Sequence, residues 1–143
     1  MTIRVLVADD QAMIRGALAG LLDLERDIEV VAQAADGAQA LEELGRLADS
    51  SGPTRANAPA DVAIIDVEMP RMDGITATQA IRSRFPEVRV LIVSTFGRPG
   101  YLQRALDAGA TGFMVKDAPV EALADGVRTV ASGGRAIDQS LAL

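Results

Sequence analysis

Apolar and polar residues alternate along this chain in two distinct rhythms. Five short runs are almost continuously apolar and rich in β-branched residues, which is typical of strands buried on both faces. They cover residues 3–8, 28–34, 61–66, 88–94 and 111–115. The segments that follow them carry apolar residues every three or four positions, as amphipathic helices do. Five strands alternating with five helices predict a single α/β domain, in which helices cover both faces of one parallel sheet.

Two segments interrupt this rhythm. The stretch 49–60 is rich in Ser, Gly, Pro and Asn, which predicts a surface loop. After Ser132 two glycines end the last helix, and an apolar rhythm then resumes. We therefore expect one domain over 1–132, and over 133–143 the start of a linker or helix that leads elsewhere.

The composition limits the chemistry that the chain can perform. Its 143 residues include no cysteine and no histidine, which excludes disulfides, thiol nucleophiles, metal sites built on either residue, and histidine acid–base catalysis. Active chemistry must come from carboxylates, hydroxyls, backbone amides and a hard cation. The formal charge of −6 argues against nucleic-acid binding by this chain, and no apolar run is long enough to span a membrane. We expect a cytoplasmic protein.

Chemically useful side chains follow the predicted strands. Asp9 and Asp10 come after the first strand and Asp66 ends the third. Ser94 ends the fourth strand, and Lys116 follows the fifth. Ligands of an open parallel sheet bind beyond the carboxyl ends of its strands, so three carboxylates meet there if the first and third strands are neighbours. Such carboxylates either bind protons or are held ionised by a cation, and an all-oxygen ligand set favours Mg²⁺.

Each of these residues also has a structural interpretation. An Asp after a strand is often a helix N-cap, and Asp10 is placed to cap the helix that starts near Gln11. Lys116 could be a solvated surface residue, although it is the only lysine among 14 basic residues, which favours a site that needs a compact amine. Ser94 and Thr95 could either end a strand or hydrogen-bond a phosphoryl oxygen.

The residues after Asp66 support a site at the end of the third strand. Pro70 shapes a turn, Asp73 can cap the next helix, and Gly74 permits close backbone approach. They hold Asp66 at an exposed edge, where a carboxylate could act as a nucleophile. Carboxylates form acyl phosphates, and phosphoryl transfer needs mainly positioning and charge neutralisation.

Four motifs resemble those of the receiver domain of two-component response regulators. They are VLVADDQ (5–11), IIDVEMPRMDG (64–74), LIVSTF (91–96) and ALDAGATGFMVKD (105–117). The segments ADDQ and ALDAGATGF and the final KD are similar to those of the NarL/FixJ subfamily, whose members usually carry a LuxR-type helix-turn-helix. Residues 94–109 further resemble the regulator of a membrane-fluidity thermosensor system. The resemblance implies a doubly wound, flavodoxin-like (βα)5 domain with a five-stranded parallel sheet of order 2-1-3-4-5.

The same resemblance assigns the acidic residues. Asp66 matches the phosphoacceptor, Asp10 a ligand of Mg²⁺, and Asp9 the acid that supports the water shell of the metal. Glu68 stands where the family offers a backbone carbonyl to the metal. Glu68 and Phe96 also match positions that tune loss of the phosphoryl group.

Residues that bind the phosphoryl group or switch with it are implied as well. Ser94 matches the switch hydroxyl, Lys116 the lysine that pairs with the phosphoryl group, and Phe113 the rotating aromatic. Thr95 is a small residue that leaves room for the phosphoryl group. Asp117 replaces the proline that many receivers have after the lysine, which leaves open a cis peptide bond there.

The function implied by the resemblance is signal transduction rather than metabolic catalysis. A sensor histidine kinase transfers its phosphoryl group to Asp66, and autodephosphorylation is slow. The modified domain dimerises through its first and last helices, and a DNA-binding domain absent from this chain controls transcription. The chain itself contacts neither DNA nor membrane. Five residues could form the dimer surface or the core: Arg15, Leu18, Leu22, Val127 and Val130.

Two other functions are compatible with parts of the sequence. A receiver that has lost phosphorylation would serve as an interaction module. A haloacid-dehalogenase-like phosphatase also uses an Asp after a strand. That family needs a second Asp two positions later, whereas Glu68 stands here.

Overall fold

The computed structural model describes residues 2–51, 59–95, 99–116 and 118–138. Strands and helices alternate along the chain. The strands are β1 (Ile3–Ala8), β2 (Ile28–Ala34), β3 (Val62–Asp66), β4 (Arg89–Ser94), β5 (Gly112–Val115) and β6 (Ala136–Ile137). The helices are α1 (Ala12–Asp23), α2 (Gly37–Ser51), α3 (Gly74–Arg84), α4 (Pro99–Ala108) and α5 (Val120–Ala131). Among the described residues, no helix is long and apolar enough to cross a bilayer.

All strands lie parallel in one sheet of order β2-β1-β3-β4-β5-β6. The predicted order of the first five strands is therefore confirmed, and β6 extends the sheet beyond β5. The chain moves from β1 outward to β2 and then returns to the other side of β1 with β3. This reversal opens a crevice between the carboxyl ends of β1 and β3, where ligands of such sheets bind.

Alternate residues of the strands lie on opposite faces of the sheet, where they pack into two separate hydrophobic cores. Val5 belongs to the core that also contains Leu22, Val127 and Val130, whereas Leu6 belongs to the core on the other face. Leu22 of α1 and both valines of α5 are fully buried. They stabilise the sheet of their own chain, so the hypothesis that they form a dimer surface is wrong.

The two segments that do not fit the predicted alternation of strands and helices, 49–60 and 133–143, both contain some regular structure. Helix α2 continues to Ser51, so it takes up the first residues of the predicted loop 49–60, while residues 52–58 lie outside the described part of the chain. After α5, Gly133 adopts a φ of +98°, a left-handed conformation that glycine tolerates. The chain then turns back, and the Ala136 N–H donates to the Thr111 carbonyl oxygen over 3.0 Å. The sequence did not predict this short β6.

A partly exposed cluster of charges joins α5 to the turn before β2. Arg128 Nε lies 2.8 Å from Asp27 Oδ2, and its Nη2 lies 2.6 Å from Glu25 Oε1. The Nη1 atom contacts Asp125 Oδ1 over 2.9 Å. The hydrogen bond from Arg128 lowers the pKa of Asp27 against the opposing effect of partial burial. The hydrogen bonds to Asp27 and Glu25 raise the pKa of Arg128.

Candidate functional site

The carboxyl ends of four central strands converge on one open cleft. Its volume is about 190 Å³. The cleft is lined by Asp10, Gln11, Asp66, Glu68, Ser94, Thr95 and Lys116. The sequence placed most of these residues at separate strand ends, and the parallel sheet brings them to one edge.

Lys116 joins two of the predicted acids. Its Nζ lies 2.8 Å from Asp9 Oδ2 and 3.1 Å from Asp66 Oδ2. All three side chains are nearly buried, with 10% of Lys116 exposed. Asp10 is exposed, yet carboxylate oxygens of Asp9, Asp10 and Asp66 lie within 4.8 Å of one another. The surface-lysine interpretation is therefore wrong, because the ammonium group lies between two carboxylates.

Burial and neighbouring charges shift the pKa values in this cluster. Burial raises the pKa of Asp66 to about 6, and the Asp9 charge adds to this effect, while the ion pair with Lys116 opposes it. Burial acts to lower the pKa of Lys116, but its contacts with Asp9 and Asp66 outweigh burial and raise it. At neutral pH the amine is charged and Asp66 is mostly ionised. Three carboxylates and one amine leave an excess of negative charge.

The donor set fits a hard divalent cation. Three carboxylates within 4.8 Å offer only oxygen ligands, which is the set that Mg²⁺ prefers. Asp9 Oδ1 accepts a hydrogen bond of 2.9 Å from the Gln11 N–H. Asp9 Oδ2 is buried and has Lys116 as its single partner among the described residues. A cation or one of its waters would complete the surroundings of that oxygen.

The hydrogen bonds at the start of α1 show whether Asp10 caps this helix or is available to the cleft. Asp9, and not Asp10, accepts from the Gln11 N–H, and the Arg15 guanidinium donates to the Asp9 carbonyl oxygen over 2.7 Å. Gln11 precedes α1 without a side-chain cap. The capping role considered for Asp10 is therefore wrong, and its exposed carboxylate faces the cleft instead.

The loop after Asp66 has the helix cap and the close backbone approach that its sequence predicted, but Asp66 is only 5% exposed, so the expectation of an exposed edge is wrong. Asp73 Oδ1 accepts a hydrogen bond of 2.7 Å from the Thr76 N–H, which confirms the cap of α3. A Cβ atom at Gly74 would lie 2.2 Å from the Asp66 carbonyl oxygen, so only glycine fits there. The Glu68 N–H donates to the Asp66 carboxylate. These contacts fix the backbone that follows Asp66.

The hydroxyl and the aromatic residue lie on neighbouring strands. Ser94 is buried beside the cleft and Thr95 is exposed. The Lys116 N–H donates to the Ser94 carbonyl oxygen over 2.7 Å, so their backbones are directly joined. Phe113 is fully buried in the core on the Leu6 face. Phe96 and Asp117 lie outside the described residues, so the tuning role of Phe96 and the peptide bond after Lys116 remain predictions.

Comparison with known proteins identifies the family. The response regulator receiver domain family matches residues 5–128. The chain belongs to this family. Among solved structures, the receiver domain of the putative response regulator NarL from Mycobacterium tuberculosis is 34% identical, with a TM-score of 0.79. That match covers 92% of this chain and 98% of the NarL chain. The predicted resemblance to NarL-type receivers is thereby confirmed.

The curated relatives are longer proteins. The uncharacterized transcriptional regulatory protein YvfU of Bacillus subtilis is 38% identical over 97% of this chain and 64% of its own length. The transcriptional regulatory protein DesR of the same organism is 38% identical over 93% of this chain and 60% of its own length. The receiver domain thus spans about 60% of these relatives.

The structure also brings together two residues that sequence reasoning missed. Asp36 is buried just before α2, and its Oδ1 accepts a hydrogen bond of 2.9 Å from the Gln39 N–H. Its Oδ2 accepts from Arg71 Nε over 2.8 Å. These bonds outweigh burial and lower the pKa of Asp36. An Asp followed three residues later by Gln is a helix-start signal that could have revealed Asp36, whereas no sequence signal indicates Arg71 as its partner.

Proposed function

We propose that this receiver domain accepts a phosphoryl group on Asp66 from the phosphohistidine of a sensor histidine kinase. One observation carries the proposal: the Lys116 ammonium lies 3.1 Å from the Asp66 carboxylate, at the edge of a solvent-open cleft. A nucleophilic oxygen and a fixed positive charge are thus side by side. Phosphoryl transfer depends mainly on such positioning and charge neutralisation.

The transfer is a substitution reaction at phosphorus. A carboxylate oxygen of Asp66 forms the new bond to phosphorus, and the phosphorus–nitrogen bond of the donor breaks. The donor's imidazole nitrogen retains the electron pair. Lys116 neutralises charge on the transferred group, and the Ser94 hydroxyl donates a hydrogen bond to it. Because these 143 residues contain no histidine, the phosphohistidine lies outside them, in our proposal on the kinase.

The acidic cluster supports Mg²⁺ as the cofactor. The carboxylates of Asp10 and Asp66 and the backbone carbonyl of Glu68 would hold the ion, and Asp9 would support its water shell. When bound, the cation supplies positive charge to the oxygens of the transferring group. The exposed Asp10 carboxylate and the partly unsatisfied Asp9 Oδ2 are the features that support this assignment.

The consequence that we propose is a change of conformation and association. In this proposal the Ser94 hydroxyl and the Phe113 ring, which lie on the adjacent strands β4 and β5, move together. Thr95 leaves space for the phosphoryl group, and Glu68 and Phe96 tune its loss. Dimerisation then uses the outer faces of α1 and α5. Leu21 and Leu24, which are 45% and 77% exposed, offer apolar contact at the end of α1.

The wider role is that of a cytoplasmic transcriptional switch. We assign residues 1–132 to the receiver domain and 133–143 to the start of a linker toward a LuxR-type DNA-binding domain, although β6 shows that the segment begins in contact with the sheet. The chain catalyses its own phosphorylation and a slow autodephosphorylation, with no other enzymatic turnover. It contacts neither DNA nor membrane itself.

Intact-mass measurement after treatment with acetyl phosphate and Mg²⁺ tests the proposal. The wild type gains the mass of one phosphoryl group, Asp66→Asn gains none, and Asp27→Asn serves as a control that still gains it. A phosphoryl gain in Asp66→Asn equal to that of the wild type contradicts the assignment. A wild type that gains nothing supports the phosphorylation-independent interaction module. Turnover of a phosphomonoester supports a phosphatase.

A further inference from the structure

The loop between β3 and α3 contains an unusual backbone conformation at Arg71. With a φ of +65°, Arg71 is the single non-glycine residue with a positive φ among the described residues. The Met72 N–H donates to the Pro70 carbonyl oxygen over 2.6 Å, which closes a three-residue turn centred on Arg71. This turn type is rare and strained, and such conformations persist only where surrounding contacts hold them.

Contacts with the start of α2 hold this turn in place. Arg71 Nε donates to Asp36 Oδ2 over 2.8 Å, and Arg71 Nη2 contacts the same oxygen. Next to them, the Gly37 N–H donates to the Met72 carbonyl oxygen over 3.2 Å. A Cβ atom at Gly37 would lie 2.8 Å from that carbonyl oxygen, so the close approach depends on glycine.

The same loop carries Glu68, three residues before Arg71. Its ends are fixed by backbone bonds: the Val67 N–H donates to the Val93 carbonyl oxygen over 3.1 Å, and the Gly74 N–H donates to the Val67 carbonyl oxygen over 2.8 Å. Between these ends, the bond from Arg71 to Asp36 is a restraint imposed from outside the loop. Neither Arg71 nor Asp36 lines the cleft that contains Asp66 and Lys116.

We propose that Asp36 and Arg71 are positioning residues that set the Glu68 backbone carbonyl for the cation of the acidic cluster. The proposal rests on the proposed function, because it assumes that the cluster binds Mg²⁺. It explains why a buried carboxylate and a strained turn are maintained at a distance from the acidic cluster. Removing the pair weakens cation binding while every carboxylate ligand stays in place.

Two substitutions remove the ion pair, and only one of them changes the freedom of the backbone. Arg71→Gly deletes the guanidinium and relaxes the positive φ. Asp36→Asn keeps an oxygen to accept from the Gln39 N–H but loses the charge that faces Arg71. Arg128→Gln is the matched control, because it breaks an ion cluster on another part of the fold. Arg71→Lys tests rescue, since it retains the charge without the forked geometry.

Calorimetric titration of the 143-residue chain with Mg²⁺ alone measures the effect, and circular dichroism confirms folding. We expect a Kd about 10-fold weaker in Arg71→Gly and Asp36→Asn, in the range typical of residues that orient metal ligands. We expect partial recovery in Arg71→Lys and no change in Arg128→Gln. A purely structural pair would alter the unfolding midpoint and leave the Kd at the wild-type value.

The outcomes separate this inference from the proposed function. A wild type that does not bind Mg²⁺ contradicts the proposed cation site itself. A wild type that binds Mg²⁺, with folded Arg71→Gly binding it equally well, overturns the inference and leaves the site intact. If Asp36→Asn does not fold, Arg71→Gly and Arg71→Lys decide the question, because both leave the cap of α2 unchanged.

Discussion

Two ion clusters in this receiver domain use similar side chains in different surroundings. Lys116 lies with Asp9 and Asp66 in the site, where these side chains are 10%, 1% and 8% exposed. Arg128 lies with Asp27 on the surface, where the two are 35% and 39% exposed. The pKa of Asp66 is raised to about 6, whereas that of Asp27 is lowered.

The difference shows that the balance between burial and hydrogen bonding decides the pKa of an ion-paired carboxylate, since buried Asp36, with bonds from Gln39 and Arg71, keeps a lowered pKa. In the site, loss of hydration outweighs the attraction of Lys116, so ionised Asp66 is a cost to the fold at neutral pH. On the surface, water still solvates both partners and the hydrogen bonds from Arg128 prevail. The partly exposed cluster joins α5 to the turn before β2, whereas the buried cluster groups two carboxylates around one amine.

Removing the positively charged side chain at the centre of each cluster gives the largest expected difference in stability between the two. We expect Lys116→Ala to lower the free energy of unfolding at neutral pH by about 4 kcal/mol, because it leaves buried carboxylates unpaired. It also raises the pKa of Asp66 further. Urea unfolding followed by circular dichroism measures the loss. Arg128→Gln is the control, and equal losses in the two variants would contradict the distinction.

Neutralising one carboxylate of each cluster has opposite effects on stability. The folded-state pKa of Asp66 lies above 3.8, so its contribution to stability is present below pH 3.8 and is lost as the pH rises through about 6. At neutral pH, Asp66→Asn therefore unfolds at higher urea than the wild type. The gain disappears in acid.

Asp27→Asn provides the contrasting case. The lowered pKa of Asp27 means that its contribution is present above pH 3.8 and is lost as the pH falls through the folded-state value. This variant is less stable than the wild type at neutral pH and equal to it in strong acid. Unfolding midpoints between about pH 2 and pH 8 check both variants. A neutral-pH loss in both would refute the opposite signs.

The smallest expected effect is the response to salt. The loss of stability caused by Arg128→Gln shrinks when NaCl is raised from about 0.15 M to about 1 M, because the screening length falls from about 8 Å to about 3 Å. The loss caused by Lys116→Ala changes less, since buried charges are poorly screened. Urea midpoints in the two salt concentrations measure this. A larger salt effect on Lys116→Ala would contradict the account.

The strands and the acidic cleft could be predicted because both depend on local pattern. Buried parallel strands are continuous apolar runs, and residues such as Asp66 and Ser94 follow from where those runs end. The parallel topology then places these ends at one edge. The same reasoning placed the cap at Asp73 and the close approach at Gly74 correctly.

Other features depend on contacts that no local pattern encodes. The bond from Arg71 to Asp36 needs a left-handed residue that is not glycine, paired with a side chain 35 positions away. Leu22 and Val127 each belong to the apolar stripe of an amphipathic helix. Such a stripe has the same sequence pattern whether the helix packs on its own sheet or on a second copy of the chain, so only the packed fold shows that both residues are buried. The turn at Gly133 likewise appeared as a helix end, and pairing with β5 makes the following residues a strand.

The central claim is that Asp66 itself carries the phosphoryl group. After treatment with acetyl phosphate and Mg²⁺, borohydride reduces an aspartyl phosphate to homoserine, which peptide mass spectrometry locates. We predict conversion at Asp66 alone, and none when Mg²⁺ is omitted. Conversion at Asp9 or Asp10 with Asp66 intact would contradict the account.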